Sequence, residues 1–228
     1  NLPTVSVRDM VVHDGDLVAA TYGRAFWILD DLTPLRQINN RVASSQAFLF
    51  RPKNAIRVRR DLSGDTPFPP EMPAGKNPPS GALIDYYLKS PPAGNVTLSI
   101  YTTKGQLVRE FSSAPLTPRH WPPPPVPSYW LLDPKPLPAR AGMNRFVWDL
   151  RYTSPESIRH EYPISAVVHD TPADPRGPLV VPGKYEVRLT VDGRTYKRPL
   201  EVTLDPRVSA TQAELESQLK LGQSLVKL

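Results

Sequence analysis

The chain contains no cysteine. That excludes disulfides, thiolate nucleophiles and cysteine-ligated metals. Long apolar runs are missing as well. No stretch approaches the roughly 20 apolar residues that a membrane-spanning helix requires. Histidine is sparse: His13, His120, His160 and His169 stand far apart, without the spacing of a zinc site. Glycine is scarce too, at 12 residues against 29 prolines. No glycine-rich phosphate loop, dinucleotide fingerprint or nucleophile elbow is present.

What is abundant is proline. Proline is poorly tolerated inside helices and central strands, so the chain reads as short strands joined by long, stiff loops. A length of 228 residues allows one large or two small domains. The net charge of +6, from 28 basic and 22 acidic residues, is compatible with acidic partners without demanding them.

The strand pattern begins early. Val5 to His13 and Leu17 to Thr21 are two short runs, with His13-Asp14-Gly15-Asp16 as a tight turn between them. Tyr22-Gly23-Arg24 turns the chain again, and Ala25 to Leu29 follows as a third strand. Leu35 to Ile38 is expected as a short outer strand. Together these read as one propeller blade, with apolar runs suited to a sheet covered on both faces. A lone blade cannot cover its own faces, because a neighbouring repeat supplies the cover. The chain is therefore read as the tail of a larger propeller protein or as part of an assembly.

Residues 41 to 80 are expected as a connector and proline-rich loop, with candidate strands at Ala47 to Phe50 and Ile56 to Arg60. From Gly81 the pattern turns regular. Ala82 to Lys89, Asn95 to Thr102, Gln106 to Phe111 and Asn144 to Tyr152 read as strands. Tyr185 to Val191 and Tyr196 to Leu204 flank Asp192-Gly193, a strong hairpin signal. Several short strands joined by turns predict an Ig-like or FnIII-like β-sandwich over 81–205. Overlapping capping boxes, Ser209 with Gln212 and Thr211 with Glu214, open a helix in 206–228. That helix is read as cut short. The expected class is all-β: a terminal blade over 1–40, the sandwich, and the start of a C-terminal helix.

Two groups of segments carry a resemblance. Val7 to His13 and Asp16 to Asp31, with Tyr22-Gly23-Arg24-Ala25-Phe26-Trp27, resemble the last blade of bacterial sortilin-like BNR-repeat proteins, often labelled glycosyl hydrolases. Leu83 to Phe111, Gly142 to Arg151 and Pro182 to Val202 resemble the Ig-like module of the same proteins, which is similar to that of the flagellar hook-capping protein. The resemblance implies a non-catalytic binding and structural module of a secreted, periplasmic or cell-surface protein. It also implies partners: the rest of the parent propeller or another protein, with carbohydrate or peptide as ligand classes. Two alternatives stay open: a glycoside hydrolase whose active site lies on blades outside this chain, and a structural subunit of an extracellular or membrane-associated complex. The Asp-box that names BNR repeats does not occur here.

Candidate chemistry is thin. Asp30 and Asp31 are adjacent, so on a strand they point to opposite faces and cannot pair as acid and base. They are expected at a strand end, with Asp30 pairing with Arg24 or capping the next turn. His13, Asp14 and Asp16 read as a turn rather than a metal site. Arg51, Lys53, Arg57, Arg59 and Arg60 form a basic cluster without a nucleic-acid motif, so nucleic acid is disfavoured. The proline-rich stretch with Trp121, Tyr129 and Trp130 is the candidate ligand surface, because such rings stack on sugars and anchor interfaces. Arg24 joins these three as an interface candidate. No catalytic residue, metal or cofactor is assigned.

Overall fold

The computed structural model describes residues 2–60, 66–116, 125–156, 167–172 and 174–227. The chain is mostly β, with 37% of residues in strands against 13% in helix, so sheet pairing sets its architecture. The order begins with β1 (Val7–His13), β2 (Asp16–Thr21) and β3 (Phe26–Leu29), an antiparallel meander. A 3-10 turn at Leu35–Gln37 and a short helix α1 (Asn40–Ser44) lead to β4 (Ala47–Leu49) and β5 (Ala55–Arg57). Next come β6 (Ala82–Leu88), β7 (Thr97–Thr102), β8 (Leu107–Ser112), β9 (Leu131–Leu132), β10 (Gly142–Trp148) and β11 (Thr171–Pro172). The chain closes with β12 (Gly183–Val191), β13 (Arg194–Leu204) and α2 (Gln212–Val226).

Two further sheets make the body. One has the order β10-β6-β4 and the other β5-β13-β12-β7-β8. They share one hydrophobic core built from alternating residues. Leu98 and Ile100 of β7, Val187 and Leu189 of β12, and Ile84 and Tyr86 of β6 are each fully buried. Trp148 of β10 meets Tyr185 of β12 edge-on, with ring centroids 5.9 Å apart. Phe146 of β10 meets Phe111 of β8 at 4.5 Å. Aromatic pairs in such offset geometries add to the burial that holds two sheets together.

Local chemistry explains the turns. Asp14 and Gly15 both take positive φ, at 50° and 90°, as do Asp192 and Gly193 at 46° and 76°. These are two-residue hairpins of the primed type that Asp-Gly favours. Pro199 lies well inside β13, opposite Glu186. Proline gives no ladder hydrogen bond, and β5 pairs only with Val202 to Leu204, so this part of β13 is an edge where proline is tolerated.

Several expectations are corrected. The stretch Leu35 to Ile38 is not a fourth strand of the meander. Pro34 sits in the right-handed helical region and starts the 3-10 turn there. The second candidate strand of the connector runs over Ala55–Arg57 rather than Ile56 to Arg60. The stretch read as a connector in fact supplies edge strands to both body sheets: β4 pairs with β6, and β5 pairs in parallel with β13. Of the two capping boxes, the one that forms is Thr211 with Glu214, and α2 starts at Gln212.

Candidate functional site

The meander is anchored to the body at one end. Arg145 of β10 does most of this. Its Nε donates to Asp85 Oδ1 at 2.9 Å and its Nη2 to Asp85 Oδ2 at 3.2 Å. The same guanidinium donates from Nη1 to the Asp30 carbonyl at 2.6 Å and from Nη2 to the Asp31 carbonyl at 3.2 Å. A planar five-donor group suits such a forked contact. Burial raises the carboxyl pKa of Asp85, and Arg145 pulls it back in part. Lys53 Nζ adds a bond to the Asp14 carbonyl at 2.8 Å. Gln37 completes the seam by pairing its side-chain amide with both backbone groups of Arg51, at 2.9 and 3.0 Å.

Away from this seam the described residues leave large apolar side chains exposed on both faces of the meander. Met10 and Val12 share one face with Leu29, following the register Met10↔Ala19↔Trp27 and Val12↔Leu17↔Leu29. Val11, Phe26 and Ile28 share the other. Phe26 is 74% exposed and Met10 61%. Grouped apolar exposure of this kind on both sides of one sheet makes the meander a candidate interaction surface.

Between the anchored end of the meander and the edge strand β5 lies a cleft of about 260 Å³. Asp16, Asp30, Asp31 and Lys53 line one part, and Ile56, Val58 and Leu83 another. The Asp16 carboxylate accepts the Asp31 N–H at 2.8 Å, and Asp31 accepts the Thr33 N–H at 2.9 Å. Lys53 is engaged by Asp14 as above. The Asp30 carboxylate makes no hydrogen bond or ion pair among the described residues.

The other candidates fare differently. The turn after β3 is capped by Asp31, not by Asp30 paired with Arg24. Arg24 is exposed, and its carbonyl accepts the Trp27 indole N–H at 2.9 Å. His13 and Asp14 sit at the hairpin tip with nitrogen and oxygen 3.4 Å apart. Among the described residues no group of histidine and carboxylate side chains is placed to hold a metal. Trp121, His120 and His160 lie outside the described residues. Tyr129 and Trp130 form a half-buried 3-10 turn with edge-on rings 6.3 Å apart. The Tyr129 carbonyl accepts the His169 N–H at 3.0 Å, and the Trp130 indole nitrogen is buried without a hydrogen-bond partner among the described residues.

The basic cluster does not form a common patch. Arg57 turns inward and donates to the Val180 carbonyl at 3.1 Å and to Gln218 of α2 at 2.9 Å. Its burial lowers its pKa. Arg60 pairs with Asp170, and the Arg59 N–H is accepted by Asp205. Beside this cluster Phe50 is buried, whereas Phe48 is half-buried beneath the Arg198 guanidinium.

Sequence reasoning missed Arg145, Asp85 and the cleft. The alternation of β10 and β6 was visible, but a partner pair across two strands and a backbone acceptor carry no sequence signal. Comparison with family models, with curated proteins and with solved structures finds no match to this chain.

Proposed function

We propose that this chain is a non-catalytic accessory module of a larger secreted or cell-surface propeller protein. In this reading β1–β3 are the last blade, and the two-sheet body is an Ig-like sandwich that braces it. The observation that carries the reading is the meander's apolar exposure on both faces. A blade is flanked by other sheets on both sides, whereas an ordinary surface sheet buries one face and wets the other. The seam through Arg145 supports the bracing role, because it fixes the blade's inner end to a rigid core.

The rest of the parent propeller, or a partner protein, covers the faces. Carbohydrate or peptide recognition belongs to the assembled protein. Hydrogen exchange tests this. In the full-length gene product the amides of residues 7–29 should be protected at least tenfold more than in the 228-residue chain alone. Equal protection in both would overturn the reading.

A further inference from the structure

We infer that two copies of this chain pair β3 to β3 along its outer edge, antiparallel and about a two-fold axis at Trp27, to form one continuous sheet. The contact uses an edge of the meander and not its faces, so it stands or falls independently of the blade reading.

The argument starts from which backbone groups are free. β3 has one neighbour, β2, and ends its sheet. The Thr21 N–H donates to the Ala25 carbonyl at 3.3 Å, and the register runs on through Ala19↔Trp27 and Leu17↔Leu29. Alternation along a strand then turns the backbone groups of Ala25, Trp27 and Leu29 toward β2. Those of Phe26 and Ile28 point away from it. Among the described residues, no group bonds to these outward N–H and C=O groups. The opposite edge of the meander differs. On β1 a bulge between Val7 and Asp9 breaks the ladder, and the Asp9 carboxylate accepts the Met10 N–H at 2.8 Å. Bulges and charged side chains protect a sheet edge from pairing. β3, with the sequence Phe-Trp-Ile-Leu, carries neither.

The occupant that fits this edge is its own sequence reversed. With Trp27 opposite Trp27 of a second copy, Phe26 lies opposite Ile28 of that copy, and Ile28 opposite its Phe26. Both pairs join outward backbone groups to outward backbone groups, as an antiparallel ladder requires. The same register sets Arg24 opposite Asp30 at each end. The Arg24 guanidinium and the Asp30 carboxylate make no hydrogen bond or ion pair among the described residues. Each sits on backbone that is held in place: the Arg24 carbonyl accepts the Trp27 indole N–H at 2.9 Å, and the Asp30 carbonyl accepts from Arg145 at 2.6 Å. Moving the axis to Phe26 or to Ile28 loses both charge pairs, so the charges select the register. Phe26 and Ile28 share their face with Val11, so pairing also runs one apolar strip across both copies. A two-fold contact closes on itself, and the blunted β1 edge stops further growth.

Sedimentation of the intact 228-residue chain, from micromolar to millimolar concentration, is expected to show a reversible monomer–dimer equilibrium. Exchange of the Phe26 and Ile28 amides should slow at least about tenfold as the dimer fills. Arg24→Glu and Asp30→Lys each set like charges opposite one another at both ends, and each should weaken dimerisation at least about tenfold. Mixed in equal amounts, the two variants should pair with each other about as tightly as the original chain, because the mixed pair sets opposite charges at both ends. Circular dichroism checks that each is folded. Arg24 bonds within the chain through its carbonyl, so Arg24→Glu keeps its fold and tests the edge by itself. A chain that stays monomeric at millimolar concentration would overturn the inference. So would a dimer that Arg24→Glu leaves intact, or two folded variants that remain monomeric when mixed.

Discussion

Arg145 and Asp85 form a forked pair across β10 and β6, with the Asp85 side chain only 6% exposed. The same guanidinium carries the carbonyls of Asp30 and Asp31. One side chain thus satisfies a buried carboxylate and ties a second sheet to the body. Arg145→Met should destabilise the chain by about 3 kcal/mol, because it leaves the Asp85 carboxylate buried without its partner. Asp85→Asn in that background should restore part of the loss. Urea unfolding of the two single variants and the double variant checks this. Additive losses would mean that the pair is not coupled.

The exposed faces of the β1–β3 meander give a prediction of the opposite kind. Phe26→Ser with Ile28→Thr removes apolar surface that touches little in this chain. Stability of the chain should change by only about 0.5 kcal/mol. Binding of a hydrophobic dye, and any self-association seen by light scattering, should fall. A large loss of stability would show that this face is packed within the chain.

Asp205 sets an acid limit. The Arg207 guanidinium, then the N–H groups of Arg207 and Arg59, hold its carboxyl far below the ordinary carboxylate range. A group whose pKa is lower folded than unfolded contributes stability above the unfolded value. That contribution is lost as pH falls through the folded value. Asp205→Asn should therefore be less stable at neutral pH and lose less on acidification below about pH 4. Asp85 has the opposite sign, since burial raises it: its contribution falls as pH rises through its folded value. Urea midpoints measured from about pH 2 to pH 7 separate the two.

Gly81 is a backbone necessity. Its φ is +134°, and a Cβ there would lie 2.0 Å from the Trp148 carbonyl oxygen. Gly81→Ala should cost about 3 kcal/mol or more through strain and displacement of the end of β10. Thermal melting reads the effect. Gly94→Ala, where a Cβ meets nothing within 4 Å and φ is not in the positive range, should be close to neutral.

Much of the β pattern was legible because its signals are local. Asp192-Gly193 announces its hairpin by turn chemistry alone, and Thr211 with Glu214 announces the start of α2. Val96, Leu98 and Ile100 show their buried face by alternation. The pairing of β5 with β13 was not legible, since a three-residue strand has no period and its partner is distant in sequence. α1 escaped because it is five residues long and buries only Val42. At the seam, Arg145 looked like one more polar residue on an alternating strand. Its acceptors at Asp30 and Asp31 are carbonyls that every residue possesses.

The parallel pairing of Ala55–Arg57 with Val202–Leu204 also orders events in time. On the ribosome, the N-terminal partner emerges 147 residues ahead of the C-terminal one. At ordinary synthesis rates that gap lasts on the order of ten seconds. The β12–β13 hairpin closes within microseconds once made, because its contacts are local. Nascent chains are thus held open from the front and completed from the back. Slowing translation before residue 183 would lengthen the interval in which the early strands stay available to chaperones and to each other.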